Sequence, residues 1–150
     1  MAKVANVVGH HAVLVKPTTF MNASGQAVGS IAGFYQVSPE NLLVIVDEVQ
    51  LPLGRLRLRR SGSSGGHNGL KSVIAHIGRD FPRLRIGVER GERGSNLSNR
   101  VLSQFAMSEQ PIVQEAVQRA ADAVETFVND GLQTAMNRFN VAGDNLQSQI

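Results

Sequence analysis

The alternation of apolar and polar positions along the chain predicts four β-strands. Residues 13–16 are apolar and β-branched and are closed by Pro17, whereas residues 42–46 are an unbroken apolar run typical of a strand buried on both faces. In residues 55–59 arginine and leucine alternate, so the leucines share one face of the strand and the arginines the other. Residues 84–88 form the fourth strand. We expect the second strand to end at Asp47 and Glu48.

Apolar residues at helical spacing predict three helices between and after these strands. The first begins near Asn22 or Ser24, either of which can cap it, and the second opens after a glycine-rich loop and stops at Gly78. The third is long, capped by Ser108 and stopped at Gly131. The predicted core-facing positions are Ala27, Val28, Ile31, Phe34 and Tyr35 in the first helix, Leu70, Val73, Ile74 and Ile77 in the second, and Ile112, Ala116, Val117, Ala120, Val124 and Phe127 in the third.

Strands that alternate with helices predict an α/β fold. We expect a single-domain three-layer α/β/α sandwich with a mixed, partly parallel sheet. The 150 residues, of which 42% are hydrophobic, suit one domain at residues 1–142. A short helix through Met136 and Phe139 would close it, and residues 143–150 are predicted to form a frayed tail. The charged, glycine-punctuated residues 89–96 are predicted to be a mobile loop.

Composition narrows the chemistry. The chain has no cysteine, which excludes a thiol nucleophile and a disulfide framework, and its four histidines lack the spacing of a helical metal site. We therefore expect no metal and no cofactor. No apolar run is long enough to span a membrane and no signal peptide is evident, so we expect a cytoplasmic protein. The formal charge of +3, with arginines concentrated in residues 55–93, is compatible with a phosphate-bearing partner.

Three groups of polar residues are predicted to meet at one edge of the sheet, beyond the ends of its strands. Phe20, Met21 and Asn22 follow the first strand, Asp47 ends the second, and His67 and Asn68 open a helix. Amides, a carboxylate and an imidazole could bind a carbonyl-rich ligand and handle a proton. Structural roles are the alternatives: the two asparagines as helix caps, Asp47 as a turn cap, and His67 as an ordinary loop residue.

One basic strand and one glycine-rich loop could contact phosphate. The arginines of the strand at 55–59 are spaced by two residues, near the spacing of phosphates on one nucleic acid strand, although charge that guards an edge strand is an equal alternative. The loop at residues 61–66 could cradle phosphate through backbone N–H groups, or could serve only as a flexible connection. It does not match the Walker A pattern, so nucleotide hydrolysis is not indicated.

Four ordered blocks resemble the bacterial peptidyl-tRNA hydrolase family: residues 16–25 (KPTTFMNASG), 46–48 with 51–54 (VDE and LPLG), 62–70 (GSSGGHNGL) and 83–87 (RLRIG). The resemblance runs from about residue 13 to about residue 140. It implies hydrolysis of the ester between a peptide and the 3′ end of tRNA, without a metal. The resemblance further implies that Asn22 and Asn68 bind the substrate's carbonyls and the tRNA 3′ end, and that Phe20 and Met21 line the same crevice. It implies that His67 flanks the peptide site and that Asp47 orients the catalytic histidine. Arg57, Arg59 and Arg85 would bind tRNA phosphates.

The chain departs from the family at its beginning. The family opens with a strand, a turn containing Asn-Pro-Gly and the histidine that activates water, and residues 1–12 show none of these; His10 and His11 are not expected to replace that histidine. We therefore expect a fold that is incomplete at the N-terminus. Two functions follow from the resemblance: peptidyl-tRNA hydrolysis by a monomer, or tRNA binding without catalysis.

Overall fold

A computed structural model describes residues 2–7, 9–89 and 105–148, with side chains described as far as residue 140. The chain is of the mixed α/β class, which confirms the predicted fold class. It divides into two compact units, one of Met1–Val44 with Arg59–Arg83 and one of Ile45–Leu58 with Leu84–Ile150. The strands belong to two sheets, a two-stranded one and a three-stranded one.

The first unit begins with a β-hairpin. Strand β1 (Ala2–Val7) pairs antiparallel with β2 (Ala12–Pro17), and the turn between them contains Gly9 at a φ of 84°. The sequence predicted β2 to within one residue at each end but missed β1. Four of the six residues of β1 are solvent-exposed, so no apolar face marks this strand in the sequence. The turn contains His10 and His11, which therefore lie between two strands.

A short 3-10 helix, Met21–Ala23, leads directly into helix α1 (Ser24–Phe34). Neither predicted cap is used, because Ala23 is the N-cap residue and the Ser24 hydroxyl donates instead to the Met21 carbonyl at 2.8 Å. The predicted core face of α1 is also wrong at its far end, where Phe34 is 79% exposed and stacks edge-to-face on Tyr35. The buried residues of α1 are Gly25 and Ala27, since small residues in the first half allow a close approach to another helix.

Helix α2 (Asn68–Ile77) agrees with its prediction. Leu70 and Val73 are buried, and the helix ends at Gly78, whose φ of 83° favours glycine and whose N–H donates to the Ile74 carbonyl at 2.9 Å. A second 3-10 helix, Pro39–Asn41, lies between α1 and the next strand.

The second unit is built on strands β3 (Val44–Pro52), β4 (Leu56–Arg59) and β5 (Arg83–Glu89), in the order β3-β5-β4. One terminal residue of each strand, namely Val44, Arg59 and Arg83, belongs to the first unit. The alternation predicted for β4 is confirmed, because Leu56 and Leu58 are buried while the arginines between and after them are not.

The predicted end of β3 is wrong. Asp47 and Glu48 lie inside the strand, which continues to Pro52. Backbone hydrogen bonds hold a strand together, and the Leu53 N–H still donates to the Glu89 carbonyl just beyond the end of β3. Two charged residues do not end the pairing because their half-exposed side chains keep contact with water.

Two helices complete the second unit, α3 (Gln110–Asp130) and α4 (Leu132–Ser148), separated by Gly131 at a φ of 90°. The stop at Gly131 is confirmed, but Glu109 rather than Ser108 stands at the N-cap of α3. The buried face of α3 is a stripe of small residues, namely Ala116, Ala120, Ala123 and Thr126.

The predicted core face of α3 is therefore partly wrong, since Ile112 is 46% and Val117 58% exposed. A helix buries the face that its neighbour covers, and α4 contributes the fully buried Ala135 to this packing. Helix α4 also continues to Ser148, so the predicted tail is helical up to that residue. The predicted mobile loop lies outside the described residues except for Glu89.

Candidate functional site

The start of α2 and the 3-10 helix at Met21–Ala23 contact each other in the first unit. This contact brings together two of the three predicted polar groups. Phe20 is 87% and Met21 56% exposed, so two large apolar side chains face solvent beside the start of a helix. Asn22 and Asn68 are also exposed. The cluster offers apolar surface together with amide donors and acceptors, which suits a ligand that has both rings and carbonyls.

Met21 packs onto the first turn of α2 at Gly69. A β-carbon on Gly69 would lie 2.7 Å from the Met21 sulfur and 2.9 Å from Cε1 of His67. Both distances are shorter than a van der Waals contact, so a larger residue at this position would require the methionine or the imidazole to shift. The glycine after Asn68 therefore permits the close packing of Met21 on the first turn of α2.

His67 is the N-cap residue of α2. Its Nδ1 accepts a hydrogen bond from the Leu70 N–H at 3.1 Å, so Nδ1 is unprotonated and the proton of the neutral ring is on Nε2. This role satisfies one of the free N–H groups of the first turn. The alternative that the two asparagines serve as helix caps is wrong, since neither Asn68 nor Asn22 uses its side chain as a helix cap.

Ser72 holds α1 against α2. Its hydroxyl accepts a buried hydrogen bond of 2.8 Å from the Gly25 N–H, and its carbonyl oxygen lies 2.8 Å from Nδ1 of His76. A β-carbon on Gly25 would overlap the Ser72 backbone and lie 2.6 Å from the same His76 nitrogen. Asn22 stands three residues before Gly25, so this contact fixes its position relative to α2.

Arg83 has a different place from the one that the sequence suggested. It belongs to the arginine-rich stretch, yet its side chain is fully buried and donates to backbone carbonyls on both sides of α2. Ser72 and Arg83 were both missed as supporting residues. No local pattern marks Ser72, whereas Arg83 lies directly after the apolar pair Phe81-Pro82, which is a sign of burial.

The remaining predicted residues are distributed as follows. Asp47 lies half-exposed within β3, Arg57 half-exposed in β4 and Arg85 half-exposed in β5, all in the second unit. Arg59 ends β4, is exposed and belongs to the first unit. The alternative of Asp47 as a turn cap is wrong, because the residue is inside a strand. In the described residues, no three histidine or carboxylate side chains cluster closely enough to hold a metal ion.

The sequence profile of the peptidyl-tRNA hydrolase family matches residues 1–149. The chain belongs to this family. A peptidyl-tRNA hydrolase of Synechococcus elongatus is 47% identical over 133 residues, which cover 85% of this chain and 64% of the relative. One of Alkaliphilus metalliredigens is 48% identical over 137 residues, covering 91% of this chain and 74% of the relative.

The fold agrees with solved structures of the family. The crystal structure of peptidyl-tRNA hydrolase from Acinetobacter baumannii is 37% identical and superimposes with a TM-score of 0.82, covering 93% of this chain and 71% of that one. By comparison, the chain spans slightly less than two thirds of the length of the Synechococcus elongatus relative. Among the described residues, no helix is long and apolar enough to cross a membrane.

Proposed function

We propose that this chain acts as a peptidyl-tRNA hydrolase, cleaving the ester between a peptide, or an N-blocked amino acid, and the 3′ end of tRNA. Family membership over residues 1–149 is the observation that carries the proposal. The exposed cluster at the start of α2 supports it, because a tRNA end that carries a peptide presents bases, hydroxyls and amide carbonyls together.

The exposed cluster at the start of α2 binds the part of the substrate where the peptide joins the 3′ end of tRNA. Phe20 and Met21 form its apolar side, where a base or an apolar peptide side chain stacks. Asn22 and Asn68 hydrogen-bond carbonyls and the terminal nucleotide, since each amide both donates and accepts and neither is occupied as a helix cap. His67 flanks the peptide, with its ring orientation set by the Leu70 N–H.

Asp47 orients the histidine that activates water. A carboxylate in this role holds the imidazole and stabilises its protonated form. By the resemblance, that histidine follows a turn containing Asn-Pro-Gly, and none of His10, His11, His67 and His76 stands after such a turn. The activity assay described below therefore tests whether Asp47 supports a general base in this sequence.

Arg57, Arg59 and Arg85 bind tRNA phosphates. Guanidinium groups pair well with phosphate, and such contacts release counterions, so affinity should fall as salt concentration rises. A monomer acting in the cytoplasm on a tRNA partner is part of the same proposal.

The experiment measures release of a labelled N-acetyl amino acid from charged tRNA by the 150-residue chain. We expect turnover above the uncatalysed rate, and Asp47→Asn should lower kcat by about 10²–10⁴-fold. Glu48→Gln is the matched control, because the next residue of a strand points to the opposite face and should leave kcat unchanged. Salt-sensitive tRNA binding without any release would favour the alternative, a binding protein that does not hydrolyse.

A further inference from the structure

Arg83 joins the two chain segments that flank α2. One terminal nitrogen donates to the Gly62 and Ser63 carbonyls at 2.9 and 3.3 Å, and the other donates to the Arg79 and Phe81 carbonyls at 2.7 and 3.1 Å. Its Nε also donates to the Phe81 carbonyl at 3.2 Å, and the guanidinium lies 4.2 Å from the centre of the Phe81 ring. The residue is 0% exposed.

These contacts suit only arginine. A buried charge is costly unless its donors are satisfied, and a planar guanidinium carries five N–H groups at fixed angles that reach carbonyls on two sides at once. Lysine keeps the charge but concentrates its donors at one point, so it cannot bridge the Gly62 and Arg79 carbonyls in the same way.

The loop that Arg83 holds is intrinsically flexible. Gly62, Gly65 and Gly66 have φ values of 147°, 58° and 84°, a region that glycine enters readily but at a high cost in conformational entropy. The anchored carbonyl of Ser63 is followed by a turn in which the His67 N–H donates to the Ser64 carbonyl at 3.0 Å. The anchor is thus four residues from the side chain that caps α2.

We propose that Arg83 is a positioning residue that orders the loop at residues 61–66 and so presents His67 and Asn68 to the tRNA end. This inference rests on the proposed function for its last step only. Its first step, the ordering of the loop, is a property of the free protein. Arg83 itself touches no substrate and contributes no charge to the tRNA-binding surface.

The test compares Arg83→Lys with Arg79→Lys, a matched control because Arg79 contributes only its backbone carbonyl to the anchor and its side chain is exposed. Amide hydrogen exchange at Gly66 and His67 should become about tenfold faster in Arg83→Lys, while exchange at Val73 inside α2 stays near the wild-type rate. The KM for N-acetyl-aminoacyl-tRNA should rise about tenfold with kcat changed less than about twofold, as for lost binding contacts.

Exchange in the loop equal to that of the wild type would overturn the proposal, and so would faster exchange with an unchanged KM. If the wild-type chain releases no amino acid, the proposed function fails, and the exchange rates together with the affinity for uncharged tRNA still test the role of Arg83. If Arg83→Lys does not fold, the wild-type protein decides: an Arg83 Nε–H that exchanges as fast as that of Arg79 would contradict the anchor.

Discussion

Replacing Gly25 with alanine tests the close contact that sets the distance between α1 and α2. The new β-carbon would overlap the backbone of Ser72 and lie 2.6 Å from Nδ1 of His76. Backbone atoms in the middle of a helix cannot move aside alone, so the two helices must separate. Separation also breaks the buried hydrogen bond of 2.8 Å between the Gly25 N–H and the Ser72 hydroxyl.

The expected loss of stability comes from three effects. Overpacking costs about 1–3 kcal/mol, and leaving the Gly25 N–H buried without a partner costs about 1–3 kcal/mol. Alanine in place of glycine inside a helix recovers only about 0.5–1 kcal/mol. We therefore expect Gly25→Ala to lower the free energy of unfolding by about 1–5 kcal/mol.

Urea denaturation followed by circular dichroism measures this loss. Gly29→Ala is the matched control, one turn later in α1, where a β-carbon would meet its nearest neighbour at 3.7 Å. There the helical preference of alanine acts alone and should stabilise the protein by about 0.5–1 kcal/mol. If both variants were equally stable, α1 and α2 would not approach each other as described and the argument for Gly25 would be refuted.

Three further substitutions probe other contacts. His67→Ala should cost about 1 kcal/mol through loss of the cap on Leu70, and His67→Asn should restore most of it in the same urea titration; no difference between the two would contradict the cap. Asn140 bonds both backbone groups of Leu58, at 2.8 and 2.9 Å, so Asn140→Ala should cost about 1–3 kcal/mol. Asn140→Asp should also destabilise, since it turns a donor into an acceptor, and a wild-type melting temperature would disprove this pairing. Gly87→Ala would press a β-carbon into the β3 backbone and should cost at least about 2 kcal/mol by calorimetry, whereas an unchanged melting temperature would exclude that close approach.

The sequence alone was sufficient wherever the deciding interactions are local. Helix α2 and its stop at Gly78 follow from apolar spacing and from a glycine at positive φ, both of which depend on neighbouring residues. The alternation of β4 follows equally from a local period of two. The family also follows from the sequence, because four motifs in a fixed order are specific without knowledge of their contacts.

Tertiary structure decided which of several equivalent local choices was taken. Asn22, Ser24 and Asn68 are all good helix caps by residue type, yet Ala23 and His67 stand at the caps, and the local sequence does not distinguish these choices. In the same way, α3 has enough apolar residues for more than one core face, and the alanine stripe that packs is the one its neighbour covers.

Arg83 shows the limit most clearly. By charge and position it resembles the exposed arginines near it. Its neighbours in the sequence do not indicate that it binds the carbonyls of Gly62 and Ser63, about twenty residues earlier. Burial of a charge depends on whether distant backbone groups can satisfy its donors. The sequence by itself therefore determined the family, the class of fold and the elements with a clear local period, while only the fold decided that one arginine holds the loop beside it.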